Sequence, residues 1–307
     1  MRTLVSSTAI HIEHTQPAEQ LEGIAEEAEV EDDGLLLLGS NLCRSLRELT
    51  IYDCKCLSLA APHPLLNGHE PRGLQALGSL RTLGILRCPK FLSEYSLDSP
   101  CYPFPTSVQV LTFHGAVDMK HLSNLTFLTR LYIEDSENLK CKDLAQDQLS
   151  QLVIYRCPEF FVGWGLAQRS SKLQMLYTDD FEGVLVKPIC SLLSSCLVEL
   201  VFHSNDEVES FTKKQEEALQ LITSLQELRF QRCKKLQCLP AGLRRLTSLK
   251  RLRIDQCPAI QSLPKDGLPS SLQELDVTYC GSKDLIQQCR KLKGTIQKII
   301  LQHEDDQ

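Results

Sequence analysis

Aromatic residues are scarce in this chain: they make up 6% of its 307 residues, with a single Trp. Any core it forms is therefore aliphatic. Hydrophobic residues make up 42% and charged ones 23%, the balance of a folded protein rather than a disordered one. No apolar run approaches the roughly 20 residues a helix needs to cross a bilayer. The Leu35–Leu38 tract is far too short, so no membrane partner is expected. The opening residues MRTLVSSTAIHIEHTQ have no apolar stretch of signal-peptide length, which predicts a cytoplasmic or nuclear protein. With a net charge of -6, bulk charge gives no sign of nucleic-acid binding. The sequence has no G-x-x-x-x-G-K-[ST], no G-x-S-x-G and no H-E-x-x-H, the spacings that cradle phosphates, expose a nucleophile or hold zinc. The expectation is a protein that is not an enzyme, with no cofactor, no metal and no small-molecule substrate.

Cysteine, by contrast, is plentiful, with 14 residues. In a chain of this size without an export signal, these read as reduced thiols rather than a disulfide framework. No C-x-x-C pair is present, and C-x4-C from Cys233 to Cys238 is a loose match to zinc spacing. For the same reason the sequon Asn124-Leu125-Thr126 reads as a coincidence.

What is present is a repeat. The chain reads LQELRFQRCKKLQCLP from Leu225, LKRLRIDQCPAIQSLP from Leu249 and LQELDVTYCGSKDL from Leu272. The frame L-x-x-L-x-(aliphatic or aromatic)-x-x-C opens also at Leu46, Leu80 and Leu149. Weaker copies begin at Val108, Leu128, Leu173 and Leu197, which makes ten copies in all. Within x-x-L-x-L-x-x, apolar and polar residues alternate with period two, the pattern of a short strand with one buried face. Leu252 and Ile254 should point inward, and Arg251, Arg253 and Asp255 outward. One repeat cannot bury its own leucines, but stacked neighbours can, pairing their strands in parallel. The fold class expected is thus α/β: a leucine-rich-repeat solenoid with a parallel concave sheet and an irregular or helical convex side.

Cys54, Cys88, Cys157, Cys233, Cys257 and Cys280 all fall just after a predicted strand, and two weaker copies put Ser136 and Asn205 there. The slot calls for a small side chain that can bond the backbone of the adjoining turn. Residues 1–40 form a leader. From Glu13 to Asp33 it carries nine acidic residues and no Lys or Arg, which reads as a solvated, partly disordered segment or a dock for a basic neighbour. Residues 41–281 form the solenoid and 282–307 a helical or strand-like cap with its tail. Segments 58–79 and 93–107, rich in Pro, Gly and Ser, read as long loops. The stretch 208–222, VESFTKKQEEALQLI, could place Val208, Phe211, Ala218, Leu219 and Ile222 on one helical face.

For a binding protein the informative positions are the outward strand residues. Tyr132, Val153, Tyr155, Tyr177, Val201 and His203 fall in the middle copies, with Arg229 and Arg253 after them. Tyrosine and arginine are the types enriched in binding hot spots, so these eight residues form the candidate concave-face site. His114 falls on the same face. Between Lys213 and Arg253 there are eleven Lys or Arg against three Glu. That predicts a basic end, centred on Arg229, Arg232, Lys250, Arg251 and Arg253, that attracts an acidic partner surface.

The pattern L-x-x-L-x-I-x-x-C-x-x-L-x-x-L-P resembles the C-terminal repeats of plant nucleotide-binding leucine-rich-repeat (NLR) disease resistance proteins of the coiled-coil subclass. The likeness is most specific in FTKKQEEALQLITSLQELRFQRCKKLQCLPAGLRRLTSLKRLRIDQCPAIQSLPKDGLPSSLQELDV, Phe211 to Val277, and in CRKLKGTIQKI, Cys289 to Ile299. It extends over most of residues 40–301 and is loose from 160 to 204, where repeat boundaries are indistinct. The resemblance implies a module of an intracellular immune receptor. Its partner would be a pathogen effector, a guarded host protein, or the receptor's own nucleotide-binding switch, which the repeats would restrain. The chain departs from the full pattern in lacking the phosphate loop. The alternative is a leucine-rich-repeat substrate adaptor of a ubiquitin ligase, which would need a helical F-box ahead of the repeats.

Overall fold

The computed structural model describes residues 2–5, 9–13, 28–30, 36–38, 42–59, 73–93, 95, 102–115, 117, 122–137, 139–140, 148–164, 171–280 and 282–302. The chain divides into two compact units, Met1–Leu149 and Ser150–Gln307. In the first, β1 (Arg2–Val5) runs antiparallel to β2 (Ala9–Glu13), and β3 (Ala28–Val30) pairs antiparallel with β4 (Leu36–Leu38). From β2 onward the ladder is parallel, through β5 (Glu48–Tyr52), β6 (Thr82–Leu86), β7 (Val110–His114) and β8 (Arg130–Glu134). The second unit stacks seven parallel strands: β9 (Gln151–Tyr155), β10 (Met175–Thr178), β11 (Glu199–His203), β12 (Glu227–Gln231), β13 (Arg251–Asp255), β14 (Glu274–Thr278) and β15 (Lys298–Gln302). Each of the ten sequence copies supplies one strand, β5 to β14, and neither unit's sheet closes into a barrel. The fold is an α/β repeat solenoid.

Register follows the leucine frame. In the second unit Leu152, Leu176, Leu200, Leu228, Leu252 and Leu275 form one continuous row, each 0% exposed. Two residues on, Ile154, Thr178, Phe202, Phe230, Ile254 and Val277 form a second buried row. In the first unit Leu49, Leu83, Leu111 and Leu131 stack in the same way. Each such side chain contributes about 1.5–3 kcal/mol by leaving water.

A second device recurs in nine of the ten copies. The residue after the strand adopts a left-handed backbone although it is not glycine: Asp53, Arg87, Asp135, Arg156, Ser204, Arg232, Gln256 and Tyr279 have φ between 50° and 60°. Gly115 takes this place in the third copy, with φ 130°. The conformation costs an L-residue about 1–2 kcal/mol. In return, its N–H extends the ladder to the next copy: Asp53 donates to the Leu86 carbonyl at 2.9 Å, Arg232 to Asp255 at 2.9 Å and Gln256 to Thr278 at 3.0 Å.

The turn also drives the next side chain inward, which explains the cysteine slot. Cys54, Cys88, Cys157, Cys233, Cys257 and Cys280 are buried free thiols. The Cys257 thiol donates to the Asp255 carbonyl at 3.3 Å and to Phe230 of the preceding strand at 3.5 Å. Cys88, Cys233 and Cys280 make the same two-carbonyl contact. Where the slot holds Ser136, its hydroxyl both donates to and accepts from the Val117 backbone. Where it holds Asn205, the amide donates to Asp179 at 2.7 Å and the side-chain oxygen accepts from the N–H groups of Glu207 and Val208. The slot is structural, as its chemistry predicts.

The sixth copy departs from the frame, as its looseness in sequence suggests. Thr178 stands in the buried aliphatic row, its hydroxyl accepting from the Asp180 N–H at 3.0 Å. Phe181 fills the cysteine slot and stacks on Phe202 at 3.9 Å. Asp180, with φ -93°, is not left-handed and instead caps the short helix Phe181–Val184. Strand β10 is one residue shorter than its neighbours, and the Asp179 carboxylate accepts the Arg156 N–H in place of a strand carbonyl.

In the segment 208–222 the helix is confined to Lys213–Leu219, begun by a capping box between Thr212 and Gln215. Ala218, Leu219 and Ile222 are buried, as expected. Val208 and Phe211 precede the helix because Asn205 turns the chain there, and Phe211 packs on Phe181 and Phe230. The cap, read as a helix or a strand, contains one of each: the helix Lys283–Lys291 and strand β15. Strand β2 lies within the segment read as leader, with Ile10 and Ile12 buried beside Leu49 and Ile51. Most of the acidic stretch, and residues 60–72 and 96–101 of the long loops, fall outside the described residues.

Leu252→Ala should lower unfolding free energy by about 2–5 kcal/mol, because its row has no slack to fill the cavity. Denaturant melts of the two proteins measure this directly, and an unchanged midpoint would contradict the stacked row.

Candidate protein-binding face

The outward residues of the second unit form three rows across the parallel ladder. Val153, Tyr177, Val201, Arg229, Arg253, Asp276 and Ile300 make the central row. Tyr155, His203, Gln231, Asp255, Thr278 and Gln302 lie in the row toward the strand ends, and Glu199, Glu227, Arg251, Glu274 and Lys298 in the row at the strand starts. Parallel strands are about 4.8 Å apart, so residues within a row touch.

Seven of the eight candidate residues share this face of the second unit. Tyr132 belongs to β8 of the first unit, on an outward, half-buried position. His114, in the same unit, pairs with Asp135. Val153, Tyr155, Tyr177, His203, Arg229 and Arg253 are all partly exposed. Tyr155 and His203 lie with ring centroids 5.1 Å apart.

Val201 is different. It is 0% exposed and offers a partner nothing. Its ladder neighbours explain why: the Tyr177 hydroxyl donates to Glu199 at 2.6 Å, and Arg229 reaches the same carboxylate at 3.8 Å. Two long side chains thus close over the small one between them. Burial and the Glu199 hydrogen bond also push the Tyr177 phenol above its ordinary range.

The second departure concerns charge. Glu227, only 3% exposed, gathers three arginines. It accepts from Arg229 at 2.9 Å and Arg251 at 2.6 Å and lies 3.3 Å from Arg253. Burial alone would raise its carboxyl, but hydrogen bonds from Arg229 and Arg251 and the charge of Arg253 hold it below the usual carboxylate range. Glu274 takes Arg253 at 3.6 Å and Lys298 at 3.4 Å. The arginines expected to form a free basic field are therefore largely neutralised on their own face. Charge counted along the chain exceeds charge presented in space because the glutamates open the same strands. Glu199, Glu227 and Glu274 are the site residues that sequence reading missed. Their signal was the first strand position, outside the two columns that flank the buried residues.

Among the described residues no group of His, Cys, Asp or Glu could hold a metal ion. No helix among the described residues is long and apolar enough to cross a membrane. Burial pushes the Cys280 thiol up to about 11 and Cys289 up to about 12, away from the thiolate that redox or metal chemistry needs. No family model matches the chain, and no curated protein is significantly similar to it.

Two predictions follow from these carboxylates. Glu227→Gln should destabilise the fold by about 2 kcal/mol at neutral pH. This is below the 3–5 kcal/mol of a fully buried pair, because Arg229, Arg253 and Arg251 keep 25%, 32% and 47% of their side-chain surface in water. A depressed folded-state pKa means the stabilisation is present above the unfolded value and is lost as pH falls through the folded one. The two proteins' melting curves should therefore converge in acid. Asp276 has the opposite sign: burial raises its carboxyl, so the folded state binds the proton more tightly than the unfolded chain. Stability falls as pH rises through that window. Asp276→Asn should melt higher than wild type at pH 7, with the difference closing as pH drops below the ordinary carboxylate range.

Proposed function

We propose that the outward face of β9 to β15 is a protein-docking surface. In this reading the chain is the sensing repeat region of a plant intracellular immune receptor of the NLR class, acting without catalysis. It recognises a pathogen effector or a guarded host protein and restrains a nucleotide-binding switch through the same solenoid. What carries the docking reading is the arrangement of Tyr155, Tyr177, His203, Arg229 and Arg253 on parallel strands, held by the Tyr177 hydrogen bond to Glu199, the ion pairs of Arg229 and Arg253 with Glu227, and the Tyr155–His203 ring contact. Preorganised aromatic and guanidinium groups lose little entropy on binding, and they are the types that dominate interface energetics. The receptor class rests on the resemblance of Phe211–Val277 and Cys289–Ile299 to that family's repeats.

The test is affinity capture from plant tissue exposed to a pathogen, comparing the wild-type chain with Tyr155→Ala/His203→Ala. A partner retained by wild type should fall by about tenfold or more in the variant, as for loss of a hot spot, with the melting midpoint little changed. Capture of the same proteins at the same yield would remove this face from consideration.

A further inference from the structure

At the β12–β15 end of the face, a cleft of about 370 Å³ opens among Arg229, Arg253, Asp255, Asp276, Ile300 and Gln302. Its charges are unevenly satisfied. Arg229 and Arg253 have carboxylate partners in Glu227, Glu199 and Glu274, all within 4 Å. Asp255 accepts from Gln231 at 3.1 Å through one oxygen and from Thr278 at 3.1 Å through the other. Asp276 is the exception. Its Oδ1 is buried without a hydrogen-bond partner, and among the described residues it makes no ion pair. The Nε atoms of Arg229 and Arg253 also lack hydrogen bonds, but both guanidinium charges are already compensated. Over β12 to β15 Arg229, Arg251, Arg253 and Lys298 stand against Glu227, Glu274, Asp255 and Asp276. The charges balance, so what the cleft lacks is not charge but a donor for the Asp276 oxygen.

We propose that this cleft is a subsite for one cationic side chain of the docked protein, a lysine or arginine, with Asp276 as its counter-ion. Ile300, the ladder neighbour of Asp276, gives the alkyl stem of such a side chain an apolar wall while the charged head reaches the carboxylate. Gln302, across from Thr278, adds an amide oxygen at the rim. A buried acceptor left unbonded is costly, and burial already disfavours the Asp276 anion. An arriving cation adds to the partial compensation from Arg253, the ladder neighbour of Asp276, and donates to the unbonded oxygen, whereas an arriving carboxylate has no hydrogen to donate there. This reverses the partner charge that counting Lys and Arg along the chain implies.

The inference rests on the docking reading above, yet its test needs no protein partner. Isotope-labelled protein is titrated with N-acetyl-arginine N-methylamide, N-acetyl-lysine N-methylamide and N-acetyl-glutamate N-methylamide, and backbone amide shifts are followed. The cationic probes should move the amides of residues 276–278 and 300–302, and the glutamate probe should not. In Asp276→Asn, which should melt higher than wild type at neutral pH, the dissociation constants for the cationic probes should rise about tenfold, the loss of one charged hydrogen bond. Binding of the glutamate probe at these residues, absence of any shift there with the cationic probes, or undiminished cation binding in Asp276→Asn would each overturn the subsite. Such a failure leaves docking at Tyr155 and His203 intact. Conversely, a bound cation with no loss of captured protein in Tyr155→Ala/His203→Ala would leave the subsite without that docking surface.

Discussion

Leucine stacked on leucine from strand to strand is the contact on which everything else in each unit depends. No copy has enough apolar surface to cover Leu228 or Leu252 by itself, so each borrows its neighbour. The requirement that rows stay in register then fixes the remainder. The residue after the strand must donate one more bond to the next copy, which forces the left-handed turn at Arg232 and Gln256. That turn aims the following side chain inward, and a thiol is small enough to sit there between two carbonyls. The backbone strain and the cysteine are consequences of the same stacking.

The fold was legible because the repeating unit is local. Period-two alternation and the fixed cysteine offset are properties of about nine consecutive residues, and they recur often enough to exclude accident. Strand β2 carried the alternation too, in Ile10 and Ile12, but without the leading leucine or the cysteine. Strand β15 was harder: Ile299, Ile300 and Leu301 are all partly exposed, so no alternation marks the inward face. In the sixth copy the frame holds at Leu176 while Thr178 and Phe181 replace its other two landmarks.

The face was less legible because its properties belong to pairs of strands. Nothing within ELVFH says that Val201 is covered. That follows from Tyr177 on one side and Arg229 on the other, twenty or more residues away in sequence. Likewise Glu227 reads as one acidic residue in a basic stretch until register sets it among three arginines. The outcome is a surface whose strong charges are spent on one another, rigid and nearly neutral. Such a surface discriminates by where polar groups are fixed more than by long-range attraction.

Identical register also makes the array modular. Suppose the stretch from Leu249 to Ser271 were excised as a unit. Leu228 would meet Leu275 and Phe230 would meet Val277, and the inner rows would close without a gap. The outward face would change its meaning: Glu227 would become the ladder neighbour of Glu274, with Arg251 gone from between them. Loss or duplication of a whole copy is thus nearly silent to the interior while rewriting the face. A lineage built on this scaffold can shuffle its outward chemistry by exchanging copies and leave the stacking that holds it together untouched.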